Sequence, residues 1–456
     1  MKKLLTLLLA LCMILSLAAC NSSGNGDGTD TTASNENDTT QKADGTEEPT
    51  QGESTTNDPG DQNQPFSLNW EGLNELMLPL LAGNNGTVKN ETVMFLDYGD
   101  EKTLLYPIES VISVTSYDGS KVYREGTDYS VVDGKLKILP GSTIPCITRA
   151  VYYNASSATL VTSYNGKNCN THWGEGKPMT DYQVNVNYTH DSYWEGFEQK
   201  CESELYANFL AKLEAGEDVT VFFYGDSITR GANSSYERNY APYQQTYSVL
   251  FVQALADLYG YTVEFKSSGI ANTFGSIRPA PQNYVGGNRG TITYVNTSHG
   301  GWTTAEAVSH FDAHVKTFVE QYGCDLFVCA FGINDTSDAA VTSANNIKTL
   351  IQKTAAIAPE ADMMIVSTML PNPNAIGNWF KYQDEQETKL RTAARDFCDQ
   401  GITCGVVRMT SVSEAVLECK EFNDYSGNNI NHPNDFFIRI YAQTLLQTLV
   451  GYEIEE

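Results

Sequence analysis

Apolar and polar positions follow two different rhythms on either side of about residue 198. Between 65 and 198 they alternate in short runs broken by Gly, Asp and Asn. The stretch ESVISVTSYDGSKVYREGTDYSVVDGKLKILPG is representative, and Asp118-Gly119 and Asp133-Gly134 read as hairpin turns. This spacing predicts an all-β sandwich, jelly-roll-like in layout. Its dense aromatics, Trp173, Tyr188 and Trp194 among them, read as packing between sheets ahead of a sugar-binding face. Residues 198–214 then show helical spacing, with Leu205, Phe209 and Leu213 on one side and Gly216 as the stop. From 199 onward apolar strands alternate with helical stretches. Strands are predicted at 219–224, 262–267, 325–331, 362–368 and 402–408, and helices near 243–259, 304–321, 341–357, 383–400 and 435–450. That order predicts an α/β fold with a doubly wound parallel sheet over 199–456. A run rich in Gly, Pro and Asn, 269–293, interrupts the second connection and reads as a functional loop.

The chain starts differently. Residues 1–20 combine a basic start, an apolar stretch and small residues before a cleavage point. Leu17-Ala18-Ala19-Cys20 resembles a bacterial lipoprotein lipobox, which implies lipidation at Cys20 and anchoring on the outer face of a membrane. Residues 21–64 hold almost no large apolar residue and read as a disordered acidic linker. With 29 Lys plus Arg against 56 Asp plus Glu, the net charge of -27 argues against nucleic acid as a partner. The cysteines lack a CxxC pair, and those in apolar runs, such as Cys329, read as buried free thiols. No metal-ligand constellation and no cofactor motif is present in the pattern. His310 and His314 lie one helical turn apart without a third ligand.

The candidate chemistry begins where the first α/β strand ends. Val219 to Tyr224 is β-branched and aromatic, Gly225-Asp226 is a turn, and Ser227 enters a new segment. Open α/β sheets place ligands at such strand ends, where helix N-terminal N–H groups favour a developing oxyanion. Gly225-Asp226-Ser227 resembles the first block of the SGNH, or GDSL-type, hydrolases. Three further blocks follow in the family's order: Asn296 to Thr304 with Gly300-Gly301-Trp302, Gly332-Ile333-Asn334-Asp335, and Asn431-His432-Pro433-Asn434. The resemblance implies a three-layer α/β/α domain in which Ser227 is the nucleophile and His432 the base. It also implies an oxyanion hole formed by the N–H groups of Ser227 and Gly301 and the amide of Asn334.

One position departs from the pattern. Asn429 stands where the family has an aspartate, three residues before the histidine. A Ser227–His432 dyad is the favoured account, with His432 oriented by a backbone carbonyl or by Asn429. Asp424 or Asp435 supplying the carboxylate, or an inactive relative, are the alternatives. The two-domain acetylesterase branch of the family is similar in layout and dyad, which implies O-deacetylation of a polysaccharide through an acyl-enzyme. Trp302, beside the oxyanion glycine, is a candidate sugar platform, and Trp379 reads as core. Lipase or thioesterase activity, and a glycan-binding lipoprotein with a vestigial site, are the competing readings.

Overall fold

In the strand-rich half, the alternation predicted from sequence folds into antiparallel sheets. The computed structural model describes residues 66–83, 86–154, 161–266, 282–335, 339–374 and 382–452. The segment 1–64 with Cys20, most of the 269–293 run, and Trp379 lie outside the described residues. One sheet has the order β1-β9-β3-β4, built from β1 (Thr87–Met94), β3 (Ser110–Ser116), β4 (Val122–Tyr123) and β9 (Gln183–Thr189). A second, β2-β6-β5, joins β2 (Glu101–Lys102), β5 (Tyr129–Val132) and β6 (Lys135–Ile138). A hairpin of β7 (Val161–Tyr164) and β8 (Lys167–Asn170) stands apart from both. Asp133 and Gly134 both take positive φ, 49° and 72°, the backbone a tight two-residue hairpin turn requires.

The parallel sheet follows. Its strands are β10 (Val219–Gly225), β11 (Thr262–Lys266), β12 (Tyr284–Val285), β13 (Thr291–Asn296), β14 (Leu326–Ala330), β15 (Asp362–Val366) and β16 (Cys404–Val407). The order is β12-β11-β13-β10-β14-β15-β16, parallel except for the short edge strand β12. All five strands anticipated here are present, and so are helices Tyr247–Tyr259, Ala339–Ile357, Gln383–Cys398 and Asp435–Val450. The helix expected at 304–321 is broken into Thr304–Ser309, a π turn and Thr317–Tyr322. Elements beyond the expectation include β12 and β13, in and just after the run read as loop, and the helices Met409–Cys419 and Phe422–Tyr425.

Burial of β10 on both faces explains its unbroken apolar sequence. Val219, Val221 and Phe223 join the core under helices Tyr247–Tyr259 and Asp435–Val450. Phe222 and Tyr224 join the core under the helices of the opposite face. The first of these cores continues into the strand-rich half through Val93, Val184 and Tyr188. Polar bonds reinforce that continuity. Lys420 Nζ lies 2.5 Å from Glu91 Oε1, with both side chains fully buried, and Tyr188 donates to Glu91 at 2.7 Å. Arg439 donates to the carbonyls of Lys89 and Asn90, each at 2.8 Å. Residues Pro65–Glu456 accordingly form one compact unit. All eight described cysteines are free, with Cys329 buried as its apolar surroundings predict.

Candidate active site

β10 is the first strand of its sheet in the chain, yet it lies in the interior between β13 and β14. After β10 the chain runs through β11 and β13 on one side and then crosses to β14 on the other, the arrangement at which open parallel sheets place ligands, beyond the carboxyl ends of the strands. Three of the four sequence blocks follow those ends. Ser227 opens the short helix Ser227–Arg230, and Asp226, not Ser227, caps it by accepting from Ile228 N at 3.0 Å. Gly225 is required by close approach, since a Cβ there would stand 2.5 Å from the Ala330 carbonyl oxygen. Burial pushes the Asp226 carboxyl up to about 7, against the pull of N–H groups of Ile228, Ile333 and Gly332. That carboxyl therefore ties the serine turn to the asparagine block.

The serine hydroxyl is left for the histidine. Ser227 Oγ lies 2.8 Å from His432 Nε2, with both residues buried. The loop carrying His432 is shaped by Asn428, whose Oδ1 accepts from the backbone N–H groups of Ile430, Asn431 and His432 at 2.9–3.0 Å. Ser426 Oγ holds the His432 carbonyl at 3.0 Å, and Asn434 caps the helix that follows.

On the other ring nitrogen the structure differs from the dyad expectation. Glu175 Oε2 lies 3.2 Å from His432 Nδ1. This glutamate belongs to the strand-rich half, between β8 and the helix Lys177–Thr180. Gly174 N donates to the Asn428 carbonyl at 3.3 Å and Gly176 N to that of Gly427 at 3.2 Å, which lays its segment along the histidine loop. Three more donors hold the carboxylate: Asn233 Nδ2 at 2.6 Å, Arg238 Nη2 at 2.7 Å and Asn428 Nδ2 at 3.1 Å. Burial alone would raise this carboxyl, but the charge and hydrogen bond of His432 and the Arg238 charge hold it well below the usual carboxylate range. An ionised Glu175 accepts from Nδ1–H, so Nε2 keeps its lone pair for the serine hydroxyl.

Asn429 does something else. Its backbone is left-handed, φ 62°, and its amide donates to Tyr152 Oη at 2.8 Å and the His172 carbonyl at 2.7 Å. It clamps the strand-rich half in place and does not orient His432. Asp424 accepts from Met94 N and pairs with Lys102, and Asp435 accepts from Ser235 N at 2.9 Å. Both alternative carboxylates are committed to other partners. The only local trace of Glu175 in the sequence is a carboxylate between two glycines.

Gly301 follows β13 with φ +80°, a conformation that suits glycine. Among the described residues, neither the Ser227 N–H nor the Gly301 N–H donates to another protein group. Asn334 Nδ2 donates to the Trp302 carbonyl at 3.0 Å, and Asp335 accepts from Thr304 N and Oγ1. The asparagine block thus clasps the glycine block. Trp302 is no sugar platform. His299 and His310 stack on its ring at 4.2 and 4.5 Å, and His314 approaches at 4.5 Å. Its ring is stacked by the imidazoles of His299 and His310. Among the described residues no three His, Cys, Asp or Glu side chains converge as metal ligands.

Residues 223–436 match the GDSL-like lipase/acylhydrolase family. No curated protein sequence matches the chain. Among solved structures, a two-domain esterase active on acetylated mannans is 18% identical, with a TM-score of 0.38 over 56% of this chain and 55% of that one. The chain thus spans about half the length of that protein. A catalytic mutant of an acetylxylan esterase from Geobacillus stearothermophilus is 14% identical, with a TM-score of 0.36 over 52% of this chain and 97% of that one. A lipase/acylhydrolase from Enterococcus faecalis is 16% identical, with a TM-score of 0.31 over 50% and 94%.

Proposed function

We propose that this chain, whose residues 223–436 form a GDSL-like lipase/acylhydrolase domain, is a serine esterase that removes O-acetyl groups from a polysaccharide. The observation that carries the reading is the unbroken hydrogen-bonded line from Ser227 Oγ through the His432 ring to Glu175. A serine hydroxyl attacks an ester only when a base accepts its proton, and that line supplies the base in the required tautomer. Ser227 Oγ bonds to the acetyl carbonyl carbon as His432 Nε2 takes the hydroxyl proton. The negative oxygen that forms is received by the free N–H groups of Ser227 and Gly301 and by the Asn334 amide. His432 returns the proton to the sugar oxygen as the C–O bond breaks, leaving an acetyl-serine. Water, deprotonated by His432, then releases acetate and restores Ser227. Glu175 stays ionised throughout and stabilises the imidazolium.

The polymeric substrate rests on the organisation of the chain. A lipobox-like Cys20 and an acidic stretch to residue 64 would present the compact unit outside the cell, tethered to a membrane. No helix among the described residues is long and apolar enough to cross one. The test is acetate release by residues 65–456 from acetylated xylan, acetylated mannan and O-acetylated peptidoglycan, alongside aryl esters of increasing chain length. The reading expects acetate from a polysaccharide and a preference for short aryl esters. Ser227→Ala is expected to lower kcat by about 10⁴-fold or more. Turnover confined to long acyl chains would move the protein to the lipase reading, and binding of glycan without turnover to the vestigial one.

A further inference from the structure

Three histidines of the α/β half take no part in the proton transfers, and all three meet on one ring. His299 and His310 stack on the indole of Trp302 at 4.2 and 4.5 Å, with interplanar angles of 18° and 25°. His314 approaches it at 4.5 Å and a tilt of 56°. Each imidazole is aimed by a backbone carbonyl. Nδ1 of His299 meets the Gly300 carbonyl at 3.1 Å, that of His310 the Glu306 carbonyl at 2.9 Å, and that of His314 the Thr297 carbonyl at 3.1 Å. A carbonyl only accepts, so Nδ1 carries the hydrogen in every case. Burial pushes the imidazoles of His299 and His314 down, which keeps both rings neutral.

This seat is tied to the site on two sides. His299 N donates to the Gly225 carbonyl at 2.9 Å and Thr297 N to that of Phe223 at 3.1 Å, so two of the imidazoles are anchored to the end of β10 that leads into Ser227. His314 lies in the π turn Asp312–Lys316, which interrupts the helical run from Thr304 to Tyr322. Such turns are rare inside helices and recur at functional sites. On its other side the seat holds a carbonyl. An asparagine amide nitrogen has two hydrogens. Asn334 donates one of them to the Trp302 carbonyl at 3.0 Å, and among the described residues its side chain has no other hydrogen-bond partner. The second hydrogen is the one left for an oxyanion, and its direction follows from where the Trp302 carbonyl stands.

We infer that Trp302, seated among His299, His310 and His314, is a positioning residue that sets the orientation of the Asn334 amide toward the oxyanion. The inference rests on the esterase reading above and gives the three imidazoles a task within it. A donor held by a single bond is only as well placed as its acceptor. Stacking on the indole fixes that acceptor without engaging the amide itself, so the second N–H stays available for the negative oxygen.

The experiment is a double-mutant cycle read on kcat and KM for an aryl acetate. Trp302→Leu removes the stacked ring and is expected to lower kcat about 10- to 100-fold, short of what one whole oxyanion donor supplies, with KM within about threefold. Trp302→Phe keeps a flat ring for the imidazoles and is expected to hold kcat within about threefold of wild type. In an Asn334→Ala background no amide is left to orient, and there Trp302→Leu is expected to cost no more than about threefold further. Melting curves show which variants fold. Should Trp302→Leu fail to, His310→Ala at its exposed position decides on the same terms, with a kcat loss that vanishes in Asn334→Ala. No loss of kcat, or equal losses with and without the Asn334 amide, overturns the positioning role while leaving the esterase standing. A wild-type protein that hydrolyses no ester overturns the esterase reading and the role together.

Discussion

In the α/β half, Ser227, Gly301 and Asn334 follow the ends of three neighbouring strands, and the register of β10 with β13 and β14 fixes their spacing. In the strand-rich half, Glu175 stands in a segment with neither strand nor helix. It is fixed instead by two backbone bonds to the histidine loop and by four donors on its carboxylate. One half places groups through regular structure, the other through a tertiary clamp. The clamp works because the halves share a hydrophobic core and because buried charges join them. A region that sequence layout assigns to an accessory role therefore completes the site.

If the two halves are one folding unit, breaking their buried joint should unfold both. Lys420→Met leaves Glu91 charged and unpaired in the core. The expected cost is about 3–5 kcal/mol, read as a fall in the urea midpoint with the slope unchanged. Two separate transitions in the wild type, with only one moved by the substitution, would break the comparison.

Two carboxylates, one from each half, should also shift the stability of the unit with pH in opposite directions, which gives a smaller effect. Asp226 has its carboxyl raised by burial to about 7, from 3.8. Between those values the folded chain keeps a proton that the unfolded chain releases, so this group's contribution to stability is lost as pH rises. Glu175 is shifted the other way, below its ordinary 4.5. Its contribution is complete above that pH and is lost as pH falls beneath it. Melting temperatures from pH 3 to 8 should show Asp226→Asn gaining on the wild type toward neutral pH. Glu175→Gln should instead close its deficit on acidification.

Much of this was legible in the sequence. The run Val219–Gly225 declared itself by β-branched and aromatic residues without a break, and the four blocks each lie within a few residues of a strand end or a helix start. β13 was obscured by the Gly- and Asn-rich run leading into it, although Thr291-Ile292-Thr293-Tyr294-Val295 carries β-branched alternation. The helix Met409–Cys419 was passed over despite helical spacing of Val412, Ala415 and Val416. Glu175 was beyond reach for a physical reason. Nothing in its own segment has a period, and its role exists only once Gly174 and Gly176 meet the histidine loop. Asn429 misled for the converse reason, because a motif position implied a catalytic duty that its side chain does not perform.

The central claim is that the carboxylate behind His432 comes from Glu175 and not from position 429. Its most direct test is kcat on an aryl acetate for Glu175→Gln and for Asn429→Asp, each shown to be folded by its melting curve. The account predicts a loss of about 10²–10⁴-fold for Glu175→Gln, because an amide no longer enforces the tautomer or stabilises the imidazolium. It predicts no gain for Asn429→Asp, whose new carboxylate would face the His172 carbonyl. Activity within threefold of wild type in Glu175→Gln, or a rise in Asn429→Asp, would contradict it.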